Sequence, residues 1–268
     1  MSKNNDAPQP DAASNAERFT GLADIYATHR PSYPHTVIEA LAERARATGA
    51  PTTAIDIGCG TGISTLAIAR ALPDWHVIAA EPNRDMLEKA RVHCAGCGNI
   101  VFVTNGAEAL PGDENSAGLV LAAQAIHWFD RPKFFAEAAR VLPSGGLVAV
   151  LYNNRQNAVS AVLCEIEDYL ESIDQTYSRD YRARDIPAML EGLDDFENVD
   201  RIREIWLKPT SVDDLVNYFM SRSMLQPLAK KAGVAKIRHR IGDIADTHAT
   251  AGMIDVPFAT ELDLASRR

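Results

Sequence analysis

A glycine-rich loop directly after a short apolar segment limits the folds open to this chain more than any other feature. Residues 54–62 read Ala-Ile-Asp-Ile-Gly-Cys-Gly-Thr-Gly, and a helical pattern begins at Ile63. Glycine allows a tight turn and a close approach of the backbone to a ligand, because no side chain intervenes. The N–H groups at the start of the helix are free to donate to that ligand. The motif predicts a strand–loop–helix unit that binds a small molecule.

Strand and helix patterns alternate around this loop. The predicted strands are Thr53–Ile57, His76–Ala80, Ile100–Thr104, Leu119–Ala123 and Leu147–Tyr152. The predicted helices are Val37–Ala45 with a stop at Gly49, Ile63–Leu72, a helix from the cap Asn83 towards His93, and Lys133–Leu142. Alternation of this kind produces crossover connections and a parallel sheet, so an α/β fold is expected.

Two details separate this loop from the turn of dinucleotide-binding folds. The pattern GxGxxG would need a glycine where Ile63 stands. Asp56 would repel a pyrophosphate but suits a ligand with an ammonium and a sulfonium group.

At the end of the second predicted strand, Glu81 can accept hydrogen bonds from both hydroxyls of a ribose. Dinucleotide enzymes share this acid, so Glu81 indicates a nucleoside without separating the two cofactors, and a solvated acid is the alternative.

Composition excludes several classes of protein. The 268 residues are 46% hydrophobic and carry a formal net charge of −9, which favours one sizeable core and disfavours nonspecific nucleic-acid binding. Four cysteines make no disulfide framework, which favours a cytoplasmic location. No apolar run approaches the roughly 18 residues of a membrane span. Residues 1–15 are polar and lack a signal-peptide pattern, so a disordered tail is expected.

One cysteine pair needs a separate interpretation. Cys94 and Cys97 form a CxxC beside His93. Zinc sites usually need four ligands, and the sequence has no matching second pair. No metal site is therefore predicted.

Seven stretches of the chain together resemble one family. They read RFTGLADIYATHRPSYP, AIDIGCGTG, AAEPNRDML, NGAEALP, AAQAIHWFD, LPSGGLVAVLYNN and TELDLASRR. Their order and spacing are similar to those of class I S-adenosylmethionine-dependent methyltransferases, in particular the small-molecule branch of trans-aconitate methyltransferase-like (methyltransferase type 11) proteins. The resemblance implies a Rossmann-like seven-stranded sheet in the order 3-2-1-4-5-7-6 with strand 7 antiparallel. Val199–Leu207 and Val256–Ala265 fit strands 6 and 7.

The resemblance also implies S-adenosylmethionine as cofactor and assigns roles by position. Asp56, Gly58 and Gly60 would hold its methionine part, and Glu81 its ribose. The other implied contacts are Pro82 and Met86 near the nucleoside, Ala107 and Glu108 facing adenine, Gln124 beside the methionine part, and Tyr26 and Arg30 folded over the cofactor. Arg30 is a candidate partner for the cofactor carboxylate. Core packing is the alternative for Tyr26.

The acceptor side carries weaker signals, because methyl transfer depends mainly on orientation and on exclusion of water. A base is needed only where the acceptor loses a proton. His127 is the candidate base because an imidazole can titrate near neutral pH. The alternative is that His127 and Trp128 are structural parts of their loop. Candidate acceptor contacts are Tyr33, Trp128, Tyr152, Asn153 and, for a carboxylate by family likeness, Arg155 and Arg222. The stretch after the fourth strand lacks an Asn-Pro-Pro-Tyr motif, which favours oxygen or carbon as acceptor.

One methyltransferase domain is predicted over residues 16–268. Helical patterns in residues 156–198 and 209–254 are interpreted as caps over the end of the sheet, with residues 175–198 polar and irregular. Residues 16–50 form the predicted N-terminal lid. Its part Phe19–Tyr33 is expected to close over the donor, because aromatic side chains alternate there with breaks at glycine and proline. A fixed helix packed on the domain is the alternative.

The sequence therefore predicts a methyltransferase that acts on a small molecule, as a monomer or homodimer, without a nucleic-acid or membrane partner. Two other classes of protein stay open. One is a cofactor-binding protein or regulatory subunit without turnover, and the other is an NAD-dependent oxidoreductase. Binding without methyl transfer would favour the first alternative. Preferential binding of NADH would favour the second.

Overall fold

The computed structural model describes residues 30–180, 185–222 and 224–268. Its strands are β1 Thr53–Ile57, β2 His76–Ala80, β3 Ile100–Val103, β4 Leu119–Ala123, β5 Leu147–Arg155, β6 Phe196–Ser211 and β7 Met253–Arg267. Its helices are α1 His35–Ala47, α2 Ile63–Ala71, α3 Arg84–His93, α4 Arg131–Val141, α5 Ala161–Ile173, α6 Ile186–Glu191, α7 Val212–Met220, α8 Leu225–Ala232 and α9 Val234–His248. The predicted tail and residues 16–29 of the predicted lid, including Tyr26, lie outside the described residues.

The strands form one seven-stranded sheet in the order β3-β2-β1-β4-β5-β7-β6. The first five strands pair in parallel. Strand β7 runs antiparallel to both β5 and β6. The expected strand order, the antiparallel strand 7 and the Rossmann-like class are confirmed.

Helices cover both faces of the sheet because its strands are apolar on both faces. Along β5, Val148 and Val150 pack with the phenylalanines of α4, whereas Ala149 and Leu151 pack with α1 and α2 on the opposite face. This is the period-two alternation of a strand with two buried faces. The arrangement leaves the carboxyl ends of β1, β2 and β4 at one edge, where the loops meet.

A third apolar cluster joins α5, α7, α8 and α9 to the far half of the β6–β7 ribbon. Trp206 of β6 stacks on Phe258 of β7 with ring centroids 5.2 Å apart. Helix α7 begins after its cap Ser211, whose hydroxyl accepts a hydrogen bond from the Asp214 amide at 3.1 Å. In the described part of the chain, no helix has both the length and the apolarity that crossing a bilayer requires.

The expectation of an irregular segment over residues 175–198 is wrong in part. Ile186–Glu191 forms helix α6, and its cap Asp185 accepts a hydrogen bond from the Ala188 amide at 3.1 Å. Six residues are too few to show a helical period, and Pro187 in the first turn resembles a breaker although that position tolerates it. Strands β6 and β7 also extend further than predicted, because they continue to pair with each other under the helices.

Candidate functional site

A cleft of about 460 Å³ lies at the carboxyl ends of β1, β2 and β4. The loops after β1, β2, β3 and β4 form most of its wall, and residues 30–33 complete it. Open α/β sheets bind ligands at this edge. We call this cavity the donor cleft.

The glycine loop is shaped by close contacts that only glycine allows. Gly58 has a φ of 66°, and a Cβ on it would lie 2.8 Å from the Cβ of Ala125. Gly62 has a φ of 85°, and a Cβ there would lie 2.9 Å from the Cys94 sulfur. Both values lie in the left-handed region, which disfavours other residues. At Gly60 a Cβ would meet no atom within 4 Å, so this glycine faces open space at the cleft.

Asp56 lies behind this loop and is 1% exposed. Its Oδ2 accepts hydrogen bonds from the hydroxyls of Ser64 at 2.8 Å and Thr65 at 2.6 Å, in the first turn of α2. Burial raises the pKa of Asp56 to about 6, against the lowering effect of these two hydroxyls. Asp56 ties β1 to α2 and is not among the residues that line the cleft.

Glu81 is held on the wall by two backbone amides. Its Oε2 accepts from Gly60 N at 3.0 Å, and its Oε1 accepts from Asn83 N at 2.9 Å. Burial raises the pKa of this carboxyl. A carboxylate has about four acceptor positions. The two amides therefore fix its orientation and leave lone pairs that hydroxyl groups of a ligand can reach.

The far end of the cleft is apolar. Met86, Ala107 and Phe129 line it and are buried, which suits a flat heterocycle. Glu108 is fixed there because its Oε1 accepts a hydrogen bond from the Asp130 amide at 3.0 Å. The loop after β3 is thereby joined to the loop after β4.

The cleft brings together most of the predicted cofactor contacts. Those on its wall are Arg30, Gly58, Gly60, Glu81, Pro82, Met86, Ala107, Glu108 and Gln124. Three predicted acceptor contacts, Tyr33, Trp128 and Asn153, also line this cleft. The other three, Tyr152, Arg155 and Arg222, line a neighbouring cavity.

That second cavity has a volume of about 720 Å³, and we call it the acceptor cavity. Arg30, Asn153 and Tyr218 line both cavities, so the two meet at these residues. Tyr218 belongs to α7, and the guanidinium groups of two arginines lie over its ring. The guanidinium carbons of Arg30 and Arg155 each lie 5.4 Å from the ring centroid.

A buried ion cluster borders the acceptor cavity. Glu167 Oε1 contacts Arg155 Nη2 at 2.6 Å and Arg222 Nη1 at 3.0 Å, and Glu167 Oε2 accepts from the Tyr177 hydroxyl at 2.6 Å. The three charged side chains are at most 7% exposed. Burial raises the pKa of Glu167, but the two arginines outweigh it and the pKa is lowered. Two guanidinium groups therefore contact one carboxylate beside this cavity.

Sequence reasoning missed Glu167, Tyr177 and Tyr218. One signal for Glu167 was present, because it falls on the apolar face of the helix that contains Leu163, Ile166 and Leu170. A carboxylate on such a face is rarely buried without partners. The positions of Tyr177 and Tyr218 depend on how distant segments pack, and no local pattern marks them.

His127 contacts one residue from the wall of each cavity, Trp128 of the donor cleft and Tyr152 of the acceptor cavity. Its Nδ1 is 3.2 Å from the Tyr152 hydroxyl, and its ring centroid is 4.8 Å from that of Trp128. His127 is not among the residues that line either cavity. His127 therefore contacts an acceptor site through the residues that do line the cavities, Tyr152 and Trp128.

The cysteine pair has a packing contact with the glycine loop. Cys94 is buried, and its sulfur lies 3.5 Å from the Gly62 carbonyl oxygen. Among the described residues, no group of three or more His, Cys, Asp and Glu side chains is arranged to hold a metal ion.

Comparison with known proteins gives matches over both the core and the whole chain. Residues 54–146 match a methyltransferase domain family. The chain is 29% identical over 248 residues to an uncharacterized methyltransferase of Mycobacterium tuberculosis, across 90% of this chain and 92% of the relative. It is 27% identical over 272 residues to a protein of Dictyostelium discoideum named as a methyltransferase, across 97% of this chain and 99% of the relative.

Solved structures share the fold. A type II methyltransferase structure from Anaeromyxobacter dehalogenans has a TM-score of 0.66 at 22% identity, with 89% of this chain and 97% of that chain covered. A methyltransferase from Geobacter sulfurreducens, solved with S-adenosylhomocysteine, has a TM-score of 0.53 at 15% identity, with 94% and 98% covered. In its motifs, its cleft and these matches, the chain is similar to the class I S-adenosylmethionine-dependent methyltransferases.

Proposed function

We propose that the protein transfers the methyl group of S-adenosylmethionine to an oxygen or carbon atom of a small acceptor that carries an anionic group. The single observation that carries the acceptor class is the Arg155–Glu167–Arg222 cluster beside the acceptor cavity. Membership of the trans-aconitate-like branch stays a prediction from the resemblance.

The donor cleft fits S-adenosylmethionine part by part. Glu81, fixed by two amides, is placed to accept the ribose hydroxyls, and the apolar end at Met86 and Ala107 suits adenine. Open space at Gly60 leaves room for the chain of the methionine part, and Arg30 offers a cation for its carboxylate. The cofactor supplies an already activated methyl group. The protein's task is then to align an acceptor with it and exclude water.

The charge of the cluster favours an anionic acceptor. Arg155 and Arg222 bring two buried guanidinium groups to the wall of the acceptor cavity, where an anionic group could bind them. Arg155 Nη1 is buried and has no hydrogen-bond partner among the described residues. Arginine binds carboxylate and phosphate groups with paired N–H donors. A small molecule is favoured over a macromolecule because these groups lie deep beneath helices of the cap.

Proton removal depends on which acceptor atom reacts. A carboxylate oxygen has no proton to lose, so no base is needed. For a hydroxyl or carbon acceptor, Tyr152 is the titratable side chain on the cavity wall that contacts His127. His127 can then accept or share the proton through the Tyr152 hydroxyl.

A screen with methyl-labelled S-adenosylmethionine tests this proposal. Anionic small molecules, namely dicarboxylates, tricarboxylates and phosphate esters, should accept the label, whereas their neutral amides and a panel of proteins and nucleic acids should not. Arg222→Lys, which keeps the charge but loses the paired donors, should raise the KM for the acceptor at least tenfold and leave the Kd for S-adenosylhomocysteine within threefold. Transfer only to neutral compounds or to macromolecules would contradict the proposal. Cofactor binding without any transfer would favour a non-catalytic protein.

A further inference from the structure

We infer that Asn153 is a positioning residue of the donor cleft, whose carboxamide holds residues 30–33 in the cleft wall. Thr260 and Trp206 fix the orientation of that carboxamide. The inference rests on the proposed binding of S-adenosylmethionine in the cleft.

The carboxamide of Asn153 binds the backbone of the N-terminal segment. Its Nδ2 donates to the Ser32 carbonyl oxygen at 3.1 Å and lies 3.5 Å from the Pro31 carbonyl oxygen. Arg30, Pro31 and Tyr33 line the donor cleft. Because both acceptors are main-chain oxygens, these bonds fix the path of the backbone and not one side chain.

A chain of hydrogen bonds across the sheet determines which end of the carboxamide faces this segment. Trp206 Nε1 can only donate, and it donates to Thr260 Oγ1 at 2.8 Å. The carbonyl groups of residues 31 and 32 can only accept, so the Thr260 hydroxyl donates its own proton to Asn153 Oδ1, at 2.6 Å. Nδ2 is left to face the carbonyl groups of residues 31 and 32. Thr260 is 0% exposed and Asn153 is 7% exposed, so water does not compete for these bonds.

Asn153 also connects the segment to the loop after β4. Gln124, which lines the cleft with a left-handed φ of 55°, donates from Nε2 to the main-chain oxygen of Asn153 at 3.1 Å. At its other end the segment reaches the cap, where Arg30 Nη2 lies 3.4 Å from the Ser221 carbonyl oxygen. One residue thus aligns two parts of the cleft wall with each other.

Asn153→Asp is the sharpest test, because it keeps the shape and replaces the donor with an oxygen that repels the two carbonyl groups. Calorimetric titration should show that the Kd for S-adenosylhomocysteine rises at least tenfold. Asn99→Asp is the matched control, since Asn99 Nδ2 likewise donates to main-chain oxygens, of Ala69, Leu72 and Trp75, on a segment outside the cleft. This control should lower the melting temperature and leave the Kd within threefold.

A second pair of variants keeps the inference testable if Asn153→Asp does not fold. Thr260→Val removes the hydroxyl that orients the carboxamide and should raise the Kd at least threefold, whereas Thr260→Ser keeps the hydroxyl and should restore the wild-type Kd. A Kd within twofold of wild type for Asn153→Asp and Thr260→Val would overturn the inference alone. Failure of the wild-type protein to bind S-adenosylhomocysteine would overturn the proposed function together with it.

Discussion

Two buried carboxylates, one under the glycine loop and one in the helical cap, have opposite environments. Asp56 is 1% exposed and its hydrogen bonds come from two neutral hydroxyls, so burial raises its pKa to about 6. Glu167 is 0% exposed and contacts two guanidinium groups, which lower its pKa despite burial. Asp56 is therefore bound by neutral dipoles, whereas Glu167 is bound by full charges. The two carboxylates should consequently respond in opposite directions to a change of pH.

The largest effect is expected where charge is removed from the cap. Glu167→Gln should lower the free energy of unfolding by about 3–5 kcal/mol, because it removes the carboxylate that contacts two buried guanidinium groups. Denaturant unfolding at pH 7 measures it. Glu171→Gln on the same helix is the matched control, since Glu171 and its partner Arg179 are both partly exposed, and it should cost about 1 kcal/mol or less. Equal losses of unfolding free energy in the two variants would contradict the difference between a buried and an exposed ion pair.

The pH dependence of stability should separate the two carboxylates. Between about pH 4 and 6, folded Asp56 keeps a proton that the unfolded chain has lost, so its contribution to stability falls as pH rises. A rise of this size in the pKa of Asp56 corresponds to a change of about 2–3 kcal/mol in the free energy of unfolding. Glu167 acts in the opposite direction, because its lowered pKa gives stability above about pH 4.5 that is lost in acid.

Asp56→Asn isolates the first contribution. The difference in unfolding free energy between this variant and the wild type should change by about 2–3 kcal/mol from pH 4 to pH 7, in favour of the variant at the higher pH. Parallel profiles over this range would show that the pKa of Asp56 is not raised. Urea titrations at intervals of half a pH unit provide the measurement.

A smaller effect is expected from crowding of the glycine loop. Gly58→Ala should cost about 1–3 kcal/mol of stability and raise the Kd for S-adenosylhomocysteine at least tenfold, because the new Cβ would displace Ala125. Gly145→Ala is the control, since Gly145 also has a positive φ, of 82°, but a Cβ there meets no atom within 4 Å. It should show only the backbone strain of about 1–2 kcal/mol and an unchanged Kd. If both variants bind equally well, close packing under the loop is not required.

The same contrast explains what the sequence could predict. The bounds of β1, β2 and β4 agree with the pattern of apolar residues, and most donor contacts lie in short motifs at the ends of those strands. The partners of Asp56 are eight and nine residues away along the chain. The sequence motif still did not show that the Asp56 carboxylate lies behind the loop. A motif gives the order of residues along the chain, but it does not give the direction in which each side chain points.

The cap depends on contacts between distant segments, and its chemistry was only partly predicted. Glu167 meets Arg222 across 55 residues of sequence. Arg155 and Arg222 were proposed as carboxylate partners from family likeness, but nothing in their local sequence indicated a shared counter-ion. The hydrogen bonds from Trp206 through Thr260 to Asn153 likewise join β6, β7 and β5. The alternation of side chains along a strand predicts which face of the sheet each residue occupies. Which of these residues form hydrogen bonds with one another depends on the register of the three strands.

The most direct test of the account is a calorimetric titration of the full chain with S-adenosylhomocysteine and, separately, with NADH. The account predicts saturable binding of S-adenosylhomocysteine at one site per chain, weakened at least tenfold by Gly58→Ala, and no measurable heat with NADH under the same conditions. Saturable binding of NADH without binding of S-adenosylhomocysteine would contradict it.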